Sequence, residues 1–174
     1  MTIQHESYVP SKRIPARTEA VKQAHLQLVP CVEADRGYVL ALTQLTMLEA
    51  VHATYFSPEG VRHYFAQHGF DLADTALIHW RGRPAGRVTL HWGEAGGHLA
   101  DLHIHPAYQG LGIGTAVLAH VRAEAKKRGV PVHTEVLRTN PALRLFQRMG
   151  FALGGASRHE FGLTLPAPGD VRGR

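Results

Sequence analysis

Apolar and polar positions change period several times along the chain, and each change marks an element. Leu26 to Val32 alternates weakly, with Leu26, Leu28 and Pro30 set against Gln27, Val29 and Cys31, which predicts a strand. Residues 36 to 52 shift to helical spacing, and Leu40, Leu42, Leu45, Met47, Leu48 and Val51 read as one broad apolar face. A second helix is predicted from Pro58 to Gln67, with Ser57 as its cap and proline at its first position. Strands are predicted from Ala76 to Arg81 and from Arg87 to Trp92, joined by Gly82-Arg83-Pro84-Ala85-Gly86. A third runs from His98 to Ile104, where Ala100, Leu102 and Ile104 face one way and Leu99, Asp101 and His103 the other.

After Pro106 the apolar positions Leu111, Thr115, Leu118, Val121 and Ala125 fall three and four apart, a helix that ends at Gly129. Val132 to Leu137 predicts a strand. Asn140-Pro141 opens a helix buried through Leu145, Phe146 and Met149 and stopped by Gly150. Two last strands are expected near Phe151 to Leu153 and His159 to Leu165. This order makes a mixed α/β sheet, and the strands at 98–104 and 132–137, joined by a helical crossover, should be parallel. Residues 1–22 are expected to be a loose arm, 23–166 one folded domain, and 167–174 a tail rich in proline, glycine and charge.

Composition narrows the function classes. The 174 residues suit one domain, and 44% hydrophobic with 19% charged residues excludes a disordered chain or a fibre. The single cysteine, Cys31, excludes an internal disulfide framework and a multi-cysteine metal centre, and is expected to be a small buried residue. No apolar run approaches the roughly 20 residues that span a bilayer. The first 15 residues show no signal-peptide core, so a cytoplasmic location is expected. A net charge of +5 raises nucleic acid as a partner. However, the arginines are scattered, and the densest cluster, Lys126, Lys127 and Arg128, falls at a helix end, where cations complement the dipole; nucleic acid is not favoured. His91, His98, His103, His105 and His133 raise the question of a metal. His103 and His105 would share a strand face, but no cysteine or compact carboxylate set completes a site, and no metal is expected.

Candidate chemistry centres on Gln109-Gly110-Leu111-Gly112-Ile113-Gly114, between a strand end and a helix start. Glycines there turn backbone N–H groups outward, and with the helix N-terminus they make an anion site suited to phosphate. A plain glycine-rich turn is the alternative. The spacing is neither that of a dinucleotide fold nor that of a P-loop.

Gln109-x-x-Gly112-x-Gly114, following Ile104-His105-Pro106, resembles the acetyl-CoA motif of the GNAT (Gcn5-related N-acetyltransferase) superfamily. The block from Glu135 through Asn140 and Phe146 to Phe151 resembles that family's second motif, and the hairpin at 82–86 also fits. The resemblance covers roughly Leu26 to Leu165. It implies a central, largely antiparallel sheet with one splayed parallel pair and about four helices around it. Backbone amides of Gly110, Leu111, Gly112, Ile113, Gly114 and Thr115 would bind the pyrophosphate of acetyl-CoA. Main-chain groups of Leu102, His103 and Ile104 would pair with its pantetheine arm. Gln109 would act mainly through its backbone, and Asn140 would hold the arm or a water, or simply cap its helix.

The implied activity is acetyl transfer to an amine by direct attack in a ternary complex. Glu135 is the first candidate for general base; a structural glutamate paired with an arginine is the alternative. His103 and Asp101 share a face and form either an orienting pair or part of the acceptor pocket. His98 ranks below these. The family's usual tyrosine acid is replaced here by Phe146. Water, Tyr108 or a histidine would then protonate the leaving thiolate, or the protein binds acyl-CoA without efficient transfer. The acceptor, a small-molecule or peptide amine, would be lined by residues 36–68 and 151–165, with Glu33, Asp35, His52, Tyr55, His63 and His159 as candidates. Dimers are frequent in the family, so a homodimer is a further expectation.

Overall fold

These periods become one sheet and four α-helices in the computed structural model, which describes residues 25–67 and 71–170. The arm expected over residues 1–22 lies outside the described residues. The strands are β1 (Leu26–Pro30), β2 (Thr75–Trp80), β3 (Arg83–Gly93), β4 (Gly96–Ile104), β5 (Val132–Leu137), β6 (Ala152–Ala156) and β7 (Glu160–Leu165). The helices are α1 (Arg36–Tyr55), α2 (Pro58–Gln67), α3 (Ile113–Arg128) and α4 (Leu143–Arg148). The Ser57 hydroxyl caps α2 by accepting from the Gly60 N–H at 3.1 Å. Past β7 the chain makes a turn closed by the Asp170 N–H on the Ala167 carbonyl at 3.1 Å.

The strand order is β1-β2-β3-β4-β5-β7-β6, and each neighbouring pair is antiparallel except β4 and β5. That parallel pair is in register only at Gly97 with Val132 and His98 with His133. Beyond those two rungs the strands part. A bulge in β4 accompanies the parting: Thr89 pairs with Asp101 and Leu90 with Leu99, so Ala100 is an extra residue. Such an insertion bends its strand and breaks the ladder locally. The bulge also overturns the predicted alternation. Leu99 is buried in the same cluster against which Leu102 and Ile104 pack, not on the face of Asp101 and His103.

Helices cover both faces. On one, Ile113, Val117, Leu118 and Val121 of α3 and Phe146 of α4 bury against Val88, Leu90, Leu99 and Val132. On the other, Met47, Ala50 and Val51 of α1 and Val61 and Tyr64 of α2 pack with Leu137, and Val39 packs with Cys31 and Leu77. The buried side of α1 differs from the sequence expectation. Leu40, Leu45 and Leu48 are exposed, whereas Thr43 and Thr54 are buried. Each threonine hydroxyl donates to the carbonyl four residues back, Val39 at 2.9 Å and Ala50 at 2.7 Å, so it enters the core with its polar group satisfied. At the far end of α3, Gly129 is left-handed at φ +70°, and Arg128 lies over the Trp92 ring at 4.6 Å. Among the described residues no helix is long and apolar enough to cross a membrane.

Candidate active site

The parting of β4 and β5 opens a cavity of about 470 Å³ that passes between the two faces of the sheet. Leu102, Ala142 and Phe146 line it on the α3 and α4 side, and Met47, Tyr64 and Gln67 on the α1 and α2 side. His98, Asp101, His103, Glu135, Asn140 and Glu160 give the wall its polar side chains, together with Thr134.

The glycine-rich segment stands at the end of β4. His105 lies just past the strand, where its Nδ1 accepts the Ala107 N–H at 3.1 Å, so it does not share a strand face with His103 as the sequence suggested. Gln109 acts through its side chain rather than only its backbone: Nε2 donates to the Ile104 carbonyl at 2.9 Å and ties the loop to the strand end. Gly110 and Gly112 are left-handed at φ +76° and +78°, which any Cβ would strain. Gly112 opens α3 without a side-chain cap, and none of the amides from Gly110 to Thr115 bonds to a protein acceptor. These donors, with the helix dipole behind them, suit the oxygens of a diphosphate. Gly114 has a different reason: a Cβ there would sit 3.0 Å from Leu145 Cδ2, so its absence lets α3 and α4 approach. Along β4 the His105 N–H turns toward β3 and bonds to Ala85 at 2.8 Å. By alternation, the N–H groups of Ile104 and Leu102 turn toward the opening, where β5 has drawn away.

Beneath the cavity lies a buried polar ladder that sequence reasoning missed. Arg87, 1% exposed, places Nη1 3.0 Å from Asp101 Oδ2 and donates to Thr89 Oγ1 at 3.0 Å. Thr89 in turn meets Thr75 at 2.9 Å between hydroxyls. Asp101 Oδ1 stands 3.5 Å from His103 Nε2, and His103 Nδ1 is buried with no protein partner. In β3 Arg87 pairs across the ladder with His103, and its acid, Asp101, stands opposite Thr89, so the signal lay in the register between two strands. Breaking the Arg87–Asp101 pair is costly. Arg87→Met should destabilise the fold by about 3 kcal/mol, because Asp101 loses its cation; thermal unfolding of the two proteins measures it.

Burial, with Arg87 adding to it against the opposing charge of Asp101, lowers the His103 imidazole to about pKa 4. It is therefore neutral at pH 7; in the tautomer that puts the ring proton on Nε2, the nitrogen nearer Asp101 at 3.5 Å, Nδ1 carries the lone pair. The unfolded chain takes up this proton near 6.5 and the folded chain does not until about 4. The stabilisation is fully present above the unfolded value and is lost as pH falls through that window. His103→Gln should flatten the decline of stability between pH 6.5 and 4, as read from urea midpoints across pH.

Glu135 is paired, but not with an arginine. Its Oε2 lies 3.0 Å from His98 Nε2, and both side chains are about half exposed. His98 stacks on His91 with centroids 6.0 Å apart, and His91 Nδ1 sits 2.6 Å from the buried Asp74 carboxylate. Two candidates that the sequence ranked separately are thus one pair. Asn140 Oδ1 accepts the Ala142 N–H at 2.9 Å, capping the turn before α4, which starts at Leu143 rather than at Pro141. Its Nδ2 faces Met47 Sδ at 3.7 Å. Phe146 is buried edge-on to Phe151, centroids 5.3 Å apart. Tyr108 lies in the turn beside His105, off the cavity wall.

None of Glu33, Asp35, His52, Tyr55, His63 and His159 lines the cavity; Met47, Tyr64, Gln67 and Glu160 do. Tyr64 follows Val61 by three residues on α2, a helical spacing that would have placed it inward. Cys31 is buried, and burial is the main reason its thiol is pushed up to about 11, so it is no nucleophile at neutral pH. Among the described residues no group of histidine, cysteine and acidic side chains is placed to hold a metal.

A sheet opened between two parallel strands, with a bare helix N-terminus at the mouth of the opening, defines an acetyltransferase fold. Over residues 42–151 the sequence matches the Acetyltransferase (GNAT) family, and the chain belongs to that family. No curated protein matches it in sequence. The fold is similar to that of PaiA N-acetyltransferase from Thermoplasma acidophilum in complex with coenzyme A, at TM-score 0.66 and 14% identity over 81% of this chain and 98% of that one. It is similar to the ribosomal-protein-S18-alanine N-acetyltransferase of Escherichia coli at TM-score 0.58 and 20% identity, over 82% of this chain and 94% of that one. It is also similar to Arabidopsis thaliana Naa50 in complex with the bisubstrate analogue CoA-Ac-MVNAL, at TM-score 0.58 and 15% identity, over 81% and 98%.

Proposed function

We propose that the chain is an acetyl-CoA-dependent N-acetyltransferase of the cytoplasm that acts by direct attack of an amine in a ternary complex, with residues 23–166 as its catalytic domain. The observation that carries this reading is the juxtaposition of unclaimed amides at Gly110–Thr115 with a cavity whose far wall holds the Glu135–His98 pair. The coenzyme A complexes of the PaiA and Naa50 neighbours support the choice of carrier.

The amides of Gly110 to Thr115 hold the diphosphate, and the main chain of Leu102, His103 and Ile104 takes the pantetheine arm as an added strand. Phe146 packs beside the sulfur, and Asn140 stands on the wall next to it. Acetyl-CoA, when bound, supplies a thioester carbonyl for attack and a thiolate to leave. The Ile104 N–H, turned toward the opening, donates to the carbonyl oxygen as negative charge develops there.

Glu135 takes the proton of the acceptor ammonium, and its exposure lets it pass that proton to solvent; His98 fixes the carboxylate. His103 is the poorer proton sink, because a buried imidazolium beside Arg87 is disfavoured. Its Nδ1 instead accepts a hydrogen bond from the incoming amine and orients it. Phe146 has no proton to give. Solvent protonates the thiolate, whose ordinary pKa of roughly 8.5 makes that step easy.

Phe146 is also the one feature that favours a non-catalytic acyl-CoA-binding module. Release of free thiol from acetyl-CoA, followed with a thiol reagent across a panel of amines, decides between the two. Amine-dependent release is expected. Binding of CoA with no amine acetylated would replace the enzyme reading with the module.

A further inference from the structure

The charge around the cavity runs against the charge of the chain. The chain carries a net +5, yet Asp101, Glu135 and Glu160 line the cavity and, among the described residues, no lysine or arginine does. Arg87 lies beneath and is matched by Asp101. Arg138, next along the chain from Leu137, is drawn away: its guanidinium lies 4.5 Å over the Phe161 ring and donates to the Ser157 carbonyl. The two remaining carboxylates, Glu135 and Glu160, share one face of the sheet. Glu160 opposes Leu137, and Glu135 opposes Gly162. They are diagonal neighbours, with backbones about 7–8 Å apart. Glu135 has His98, and no side-chain hydrogen bond or ion pair engages Glu160.

A second observation points to a ligand in the same space. His103 lines the cavity, is 7% exposed, and keeps Nδ1 without a protein partner. A buried ring nitrogen of this kind calls for a hydrogen-bond partner from outside the chain, and an amine N–H meets it when the ring proton is on Nε2. The field of Glu160 is felt by its aromatic neighbours, since it adds to the burial that raises the phenols of Tyr55 and Tyr64.

We infer that the acceptor is a small diamine or polyamine, with its reacting nitrogen set between Glu135 and His103 and a second ammonium held by Glu160. This rests on the acetyltransferase reading above and adds the substrate class. The reacting ammonium gives one proton to Glu135; the freed amine then forms the C–N bond, its second proton passes to water as the thioester C–S bond breaks, and the departing CoA thiolate is protonated from solvent. The second ammonium stays protonated throughout and is the handle for recognition. A carboxylate at that position on the acceptor would be repelled.

The test compares three acceptors of matched length: cadaverine, pentylamine and 5-aminovalerate. The expected order of kcat/KM is diamine, monoamine, amino acid, with the diamine at least about tenfold ahead of the monoamine, the worth of one charge-assisted contact. Glu160→Gln should collapse the diamine-to-monoamine ratio toward one, mostly through KM. Equal use of diamine and monoamine by the wild-type enzyme overturns the inference, as does a ratio unchanged in the variant or a preference for a peptide N-terminus over each diamine. CoA affinity measured alongside separates the failures. Acetylation without diamine preference sinks only the substrate class, whereas CoA binding with no amine acetylated sinks the acetyltransferase reading with it.

Discussion

Gly112→Asp is expected to weaken CoA binding by about a hundredfold or more, as measured by calorimetric titration. Gly112 sits at φ +78° at the mouth of α3, with no atom within 4 Å of the place a Cβ would occupy. Space in the free protein is therefore not the obstacle. An aspartate strains the backbone by about 1–2 kcal/mol. It also puts a carboxylate where two phosphates would stand, and its oxygen competes for the helix amides that they need. The last effect gives the prediction its discriminating power. Aspartate is a good helix cap, so the fold should hold and the thermal midpoint should move little, while the ligand is lost. Gly112→Ala keeps the strain without the charge and should lose far less affinity. A loss below about tenfold in the aspartate variant would detach the phosphate from this loop.

The second large effect is on turnover. Glu135→Gln should reduce kcat by about 10²-fold with CoA affinity unchanged. Glutamine preserves the shape and can still meet His98, so packing is not what changes. What is lost is a carboxylate able to accept the ammonium proton and release it to water. His98 acts through Glu135 rather than on the substrate, so His98→Ala should cost less, about tenfold in kcat. A Glu135→Gln rate within twofold of wild type would hand the proton to another group.

The glycine-rich loop, the helix after it and the two strands around the opening were all legible in the sequence, because glycine spacing and period changes are local signals. From periodicity alone the split of the sheet was legible only as a crossover, and the splaying of the parallel pair came from the family resemblance. Its extent depends on the Ala100 bulge, and a bulge inserts one residue without leaving a mark on composition. The same insertion reversed Leu99 while leaving Asp101 and His103 close together, Oδ1 to Nε2 at 3.5 Å. The face of α1 was misjudged for a different reason. Leucines attract the count, but threonines that satisfy their own hydroxyls pack closer. Arg87, Tyr64 and Glu160 come from three separate elements and meet only through tertiary packing, so no spacing along the chain could join them. The pairing of Glu135 with His98 is likewise a product of the parallel register and not of either strand alone.

A crystal structure of the protein with CoA would show whether the amides after β4 hold the carrier and the parted strands receive its arm. Diphosphate oxygens are expected within hydrogen-bond distance of the Gly112 to Thr115 amides. The arm is expected along Leu102–Ile104 and the sulfur between Phe146 and the Glu135–His98 pair. CoA bound away from those amides, with the opening between β4 and β5 left empty, would contradict that placement.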